Sequence, residues 1–147
     1  MRLLVCGSRE WTQHVPIANA LESLAPRVVI HGDSTGADTI AAGLARLWTL
    51  GVEAFPADWR RDGKAAGPIR NARMLADGKP DRALAFGALW RSYEAPERRA
   101  VPRLLWKHTG TGNMVARMLA ARLPVRWIES PDAPAVDLTE MPPPPSA

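Results

Sequence analysis

Four short stretches of this chain hold residues suited to an anion. Gly7-Ser8-Arg9-Glu10-Trp11 offers a hydroxyl, a planar cation and a flat ring within five positions, which fits a phosphate with a base or ribose beside it. The same five residues would also make a plain turn with Trp11 packed at the core edge. In residues 27–38, RVVIHGDSTGAD, the apolar run Val28-Val29-Ile30 breaks into a glycine-punctuated loop containing Gly32 and Gly36, and a helix pattern follows. A strand-to-helix join of this kind presents backbone N–H groups to an anion, although the spacing is neither G-x-G-x-x-G nor a P-loop. Arg70 and Asn71, close behind Gly67-Pro68, form a phosphate-and-hydroxyl pair near the positive end of a helix dipole; an ordinary solvated helix start has similar residues. Thr109-Gly110-Thr111-Gly112 is a second loop of small residues feeding a helix.

The hydrophobic pattern says what must position these stretches. Residues 2–6 read as a short continuous strand of the type covered on both faces. Ile17, Ala20, Leu21 and Leu24 share one face of a helix over 15–24 that Pro26 ends. Strand 27–30 and its loop lead to a second helix whose expected inner face is Ile40, Leu44, Leu47 and Trp48, with Gly51 as its stop. Strand 52–55 completes a βαβαβ order, which right-handed crossovers turn into a parallel sheet with helices on both faces. The polar loop 56–66 then lies at the carboxyl edge of the sheet, where open α/β sheets bind ligands. A helix with Met74 and Leu75 inward, a strand over 81–86, a helix with Met114, Val115, Met118 and Leu119 inward and a strand over 125–128 bring the sheet to about five strands.

Composition narrows the class. The 147 residues suit one domain, and 46% hydrophobic content is ordinary for a globular core. A single cysteine, Cys6, excludes an internal disulfide and fits a reducing cytoplasm; its place in an apolar run reads as a buried strand position. No metal cluster, signal peptide or membrane span is expected, and the three histidines His14, His31 and His108 read as bonded or solvated groups. Sixteen of the nineteen basic residues are arginine, and the net charge is +4. The segment 130–147 holds three acidic and no basic residues, so the body before it carries +7 and predicts a polyanionic partner.

Two segments stand outside the sheet pattern. Residues 87–109 are longer than the usual connection of about 4–6 residues and mix five basic residues with Trp90, Tyr93 and Trp106, suggesting a lid, an insertion or a surface for nucleic acid. Residues 130–147 hold six of the fourteen prolines and read as a disordered tail beyond a domain of 1–129, or as a proline-rich partner motif.

Taken together, GSREW, HGDSTGAD, PADW, GPIRNARM and GTGNMV, in that order across nearly all of residues 1–128, resemble the YspA-like branch of the SLOG superfamily. The resemblance implies a Rossmann-like parallel sheet and a pocket for a nucleotide or nucleotide-derived ligand, with ADP-ribose or NAD-linked metabolites as the class indicated. It would place Gly7, Ser8, Arg9, Gly32, Gly36, Asp38, Arg70, Asn71, Gly110 and Thr111 around that pocket. Backbone N–H groups at Gly36 and Gly110 would then hold phosphate, Arg70 would pair with it, and Asp38 or Asn71 would bond ribose hydroxyls.

The superfamily also includes LOG-type phosphoribohydrolases, whose last motif, Gly-Gly-x-Gly-Thr-x-x-Glu, ends in a catalytic glutamate. Here Gly110-Thr111-Gly112-Asn113 is followed by Met114, whose thioether can neither move a proton nor stabilise an oxocarbenium ion. Cleavage of an N-glycosidic bond would therefore need Asp38 or Asp58 as a stand-in. Single-stranded nucleic acid is a further candidate partner, homo-oligomerisation stays open, and no cofactor is called for.

Overall fold

The computed structural model describes residues 1–92 and 106–145. Five strands run parallel: β1 (Arg2–Gly7), β2 (Val28–His31), β3 (Gly51–Ala54), β4 (Arg82–Phe86) and β7 (Val125–Ile128). A sixth, β8 (Val136–Leu138), pairs antiparallel with β7, and the sheet order is β3-β2-β1-β4-β7-β8. Helices α1 (His14–Leu24) and α2 (Ala37–Leu47) cover one face; α4 (Ala66–Ala76) and α5 (Gly110–Ala120) cover the other. The short α3 (Trp59–Asp62) and a 3₁₀ turn (Gly63–Ala65) occupy the loop after β3. This is a Rossmann-like α/β sheet, and its strand order reverses between β1 and β4, the point where such sheets open a crevice.

Each face solves its packing differently. Leu3, Val5, Val29, Leu84 and Phe86 point at α1 and α2, and α2 answers with Ala37, Ala41 and Ala45. Small residues on the helix let it lie close to large residues on the strands. A Cβ on Gly7 would come 2.5 Å from the Ala37 Cβ, so β1 ends in glycine because α2 starts directly above it. On the opposite face the small residues are on the strand: Ala83 and Ala85 of β4 leave space for Met74, Met114 and Met118.

That arrangement corrects the expected inner face of α2. Ile40 and Leu44 are only partly buried, Trp48 is exposed, and Leu47 is 74% exposed. Ile40 and Leu44 still pack at the margin of that core, but alanine carries little weight in a hydrophobicity pattern, so the expected stripe was shifted off centre toward the exposed Leu47 and Trp48. The helix stop is also different: Thr49 takes the left-handed turn at φ 57°, and Gly51 is the first residue of β3.

The sheet is not wholly parallel, and the segment after 129 is not a disordered tail through the described residues. The strand β8 shields the edge that β7 would otherwise expose, with Arg126 Nε donating to Asp137 Oδ1 at 2.9 Å across the ladder. Met141 packs against the core, and the Trp90 indole N–H donates to the Pro142 carbonyl at 2.8 Å. Proline lacks a donor, but its carbonyl still accepts, which is how a proline-rich stretch can be tied to a fold.

The ends of the 87–109 insertion form a second, two-stranded antiparallel sheet from β5 (Trp90–Ser92) and β6 (Trp106–His108). Its arginine-rich centre, 93–105, with Tyr93, lies outside the described residues. No described helix is long and apolar enough to cross a membrane.

Candidate functional site

Above the carboxyl ends of β1, β2 and β3 lies a cavity of about 320 Å³ lined by Arg9, Gly32, Asp33, Ser34, Thr35, Pro56, Ala57, Trp59 and Arg70. Its floor is the loop from His31 to Gly36, and Asp38 shapes that loop. From the first turn of α2 the Asp38 carboxylate reaches back and accepts from the backbone N–H of Gly32 at 2.8 Å, with Ser34 N at 3.5 Å. Asp38 is buried, and burial pushes its carboxyl up to about 6 despite those bonds and the charge of Arg70. It bonds protein backbone, so its role in this structure is to hold the loop.

Gly36 closes the loop at φ 79°, against the Ser8 carbonyl, where any Cβ would overlap that oxygen. Ser8 itself is a junction: its N–H donates to Phe86 O at 2.7 Å, its carbonyl accepts from Ala37 N at 3.2 Å, and its hydroxyl accepts from Glu10 N at 3.0 Å. Gly7, Ser8 and Gly36 thus lie behind the cavity wall. The N–H groups of Thr35 and Gly36 find no acceptor among the described residues. His31 is buried, its Nδ1 accepts from Asp33 N at 3.0 Å, and burial holds it below the usual imidazole range. The proton of the neutral ring is therefore on Nε2, which has no partner among the described residues.

Arg70 enters from the fifth position of α4. Its guanidinium donates through Nη1 to the Gly32 carbonyl and through Nε to Asn71 Oδ1 at 3.0 Å. Burial, and after Asp38 the like charge of Arg9, act on it; burial dominates and lowers its pKa. Arg9 faces the same space and rests over the Trp59 ring, 5.4 Å from its centroid. Neither arginine is in a salt bridge among the described residues. Two guanidinium groups against the single lining carboxylate of Asp33 leave the cavity a positive balance, which favours an anion between them.

The second glycine loop stands apart. Asn71 donates to the Gly110 carbonyl at 3.2 Å and to Asn113 Oδ1 at 3.1 Å, tying the start of α5 to α4 on the far side of Arg70. Thr109 caps α5, its hydroxyl accepting from Gly112 N at 2.9 Å. Gly112 is glycine because a Cβ there would overlap the Leu89 carbonyl. Thr111 is buried, and neither it nor Gly110 lines the cavity.

Of the ten expected pocket residues, the structure therefore brings Arg9, Gly32 and Arg70 onto the cavity, puts Gly7, Ser8, Gly36 and Asp38 behind it, and separates Asn71, Gly110 and Thr111 from it. Asp58 caps α3 by accepting from Arg61 N at 3.1 Å and does not line the cavity. Met114 is fully buried in the core. Trp11 also takes a structural place, tilted at 60° against Phe86 and donating from its indole to Gln13 O. The aromatic ring on the cavity is Trp59, which the motif PADW contained. No group of three or more potential metal ligands exists among the described residues.

The Gene 61 protein of Mycobacterium phage D29 is 38% identical over 97 residues, a match covering 58% of this chain and 75% of that protein. The sequence profile of the YspA, cpYpsA-related SLOG family matches residues 1–61, which hold β1, β2, β3 and the loops bearing Arg9, Gly32 and Trp59. The Rossmann-like sheet, the loop built on Gly32 to Asp38 and these matches agree: the chain belongs to the YspA, cpYpsA-related SLOG family.

Proposed function

We propose that this protein binds a phosphate-bearing, nucleotide-derived ligand in the cavity between Arg9, Arg70 and the 32–36 loop. The observation that carries the reading is the convergence of two guanidinium groups, neither in a salt bridge among the described residues, on one concave space at the carboxyl edge of the sheet, where Asp33 is the one lining carboxylate against them. Arg70 is already oriented by Gly32 and Asn71, so little side-chain freedom is lost when an anion meets its remaining N–H groups. The N–H group of Thr35, which lines the cavity, supplies a further donor. Within the nucleotide-derived class, the resemblance to the YspA-like branch favours ADP-ribose and NAD-linked metabolites.

Binding is better supported than cleavage. Neither candidate carboxylate stands free for acid–base work: Asp38 holds backbone N–H groups and Asp58 caps α3. A nucleic-acid partner draws its support from basic residues largely within 93–105, outside the described residues.

Titration calorimetry with ADP-ribose, NAD and nucleoside monophosphates tests the reading. Heat of binding is expected for at least one of them, and an Arg70→Ala variant should bind tenfold more weakly or worse. Silence across the panel overturns the function; unchanged affinity in the variant overturns the site. Chromatography of the same mixtures after long incubation should return intact ligand, and released base would restore glycosidic cleavage.

A further inference from the structure

The cavity has two chemically different walls. Arg9, Arg70, Ser34 and Asp33 form a polar side on which the two cations outnumber the one carboxylate, while Pro56, Ala57 and Trp59 form an apolar one. Trp59 is 48% exposed, although a tryptophan at this position buries a large apolar surface only if something covers it. Its ring is nevertheless held in place. The ring edge lies beside the first turn of α4, where a Cβ on Gly67 would stand in ordinary contact with it at 3.6 Å. The helix carrying it, α3, is fixed by the Asp58 cap. An indole anchored at one edge, beside an anion site and open to solvent, is an aromatic platform awaiting a planar partner.

Building on the phosphate reading above, we infer that Trp59 is the stacking platform for an aromatic base. The ligand class is then a nucleoside phosphate, as distinct from a sugar phosphate or free phosphate. Every base has a π-face, so stacking of this kind tolerates either purine. A cavity of about 320 Å³ is at the small end for ligand sites, so it accommodates a base and one phosphate-bearing sugar; the remainder of a larger dinucleotide would extend into solvent. Arg9 couples the two walls. Its exposed cation–π contact with Trp59 is weak compared with a charge-assisted bond to phosphate, so a bound phosphate draws the guanidinium away and frees the ring for the base.

The test compares AMP, GMP, ribose 5-phosphate and inorganic phosphate against wild type, Trp59→Ala and Trp59→Phe by calorimetry, with tryptophan fluorescence as a second readout. Wild type should bind AMP or GMP at least tenfold more tightly than ribose 5-phosphate, with quenched fluorescence. Trp59→Ala should bring the two affinities within about twofold while ribose 5-phosphate binds as before, and Trp59→Phe should restore most of the preference. Equal binding of AMP and ribose 5-phosphate by wild type, or an undiminished preference in Trp59→Ala, overturns the platform and leaves the phosphate site standing. No binding of any phosphate ester overturns the phosphate reading, and this inference falls with it. Because Trp59 is exposed, unchanged circular dichroism of the variants is expected.

Discussion

Two loops of this protein look alike on paper and do opposite things. Residues 32–36 and 109–112 both join a strand to a helix through small residues, and both contain two glycines. In the first, the Asp38 carboxylate pulls the loop inward, and Gly32 makes room for the Arg70 guanidinium at the cavity. In the second, Thr109 caps its own helix, Gly112 admits the Leu89 carbonyl, and Asn71 occupies the Gly110 carbonyl. The lesson is that a glycine before a helix reports close approach of something. Whether that something is a ligand or the protein's own backbone depends on what the rest of the chain places opposite it.

Substitutions can break this contrast. The largest effects should come from the two glycines that face backbone. Gly36→Ala combines a left-handed φ with overlap on the Ser8 carbonyl, and Gly112→Ala overlaps the Leu89 carbonyl; each should cost roughly 3 kcal/mol, a Tm fall on the order of 10 °C by calorimetric melting. If either melts like wild type, the loop it closes is not built as described.

Next comes Asp38. Its folded-state pKa of about 6 lies above the ordinary carboxylate value near 4, so between those limits the folded protein holds a proton that the unfolded chain has released. Its contribution to stability therefore declines as pH rises from about 4 to about 6, by roughly 3 kcal/mol, and is flat above. Asp38→Asn keeps an acceptor for the Gly32 N–H without the buried charge. Urea denaturation should show this variant gaining on wild type across that window and holding a constant lead beyond it; a lead independent of pH would refute the burial argument.

A smaller, selective effect is expected at Gly32. An added methyl meets the end of the Arg70 side chain, which can swing aside, so Gly32→Ala should weaken phosphate-ester binding about tenfold in calorimetry while costing little stability. Smallest of all is Gly110→Ala. Nothing lies within 4 Å of the added methyl, and alanine favours a helix start over glycine, so melting should stay within a degree or two of wild type or rise.

Much of the fold was legible in advance. Continuous apolar runs at residues 3–6, 28–30 and 83–86, separated by helical periods, are enough to demand parallel strands buried on both faces. What misled was size. The alanines 37, 41 and 45 bury α2 without registering as a stripe, and the prolines after 130 hid a strand that needs only three residues and a cross-strand ion pair to form.

The site was legible as a set of loops and not as a set of contacts. Arg9, Gly32 and Arg70 stood out by chemical type and do share the cavity, whereas Trp11 and Trp59 were equivalent by type. Packing against Phe86 takes Trp11 out of solvent, whereas α3, capped by Asp58, carries Trp59 to the cationic wall beside Arg9. By itself, then, the sequence determined the α/β layers, the strand edge where a ligand belongs and the cationic character of that edge, because periodicity and charge are local properties. Tertiary structure alone decided which glycine loop faces the cavity and which indole is exposed there. Each of those turns on contacts between residues 38 or more positions apart, whose partners no local pattern names, whereas the bonds that commit Asp38 and Asp58 to backbone span only six and three positions.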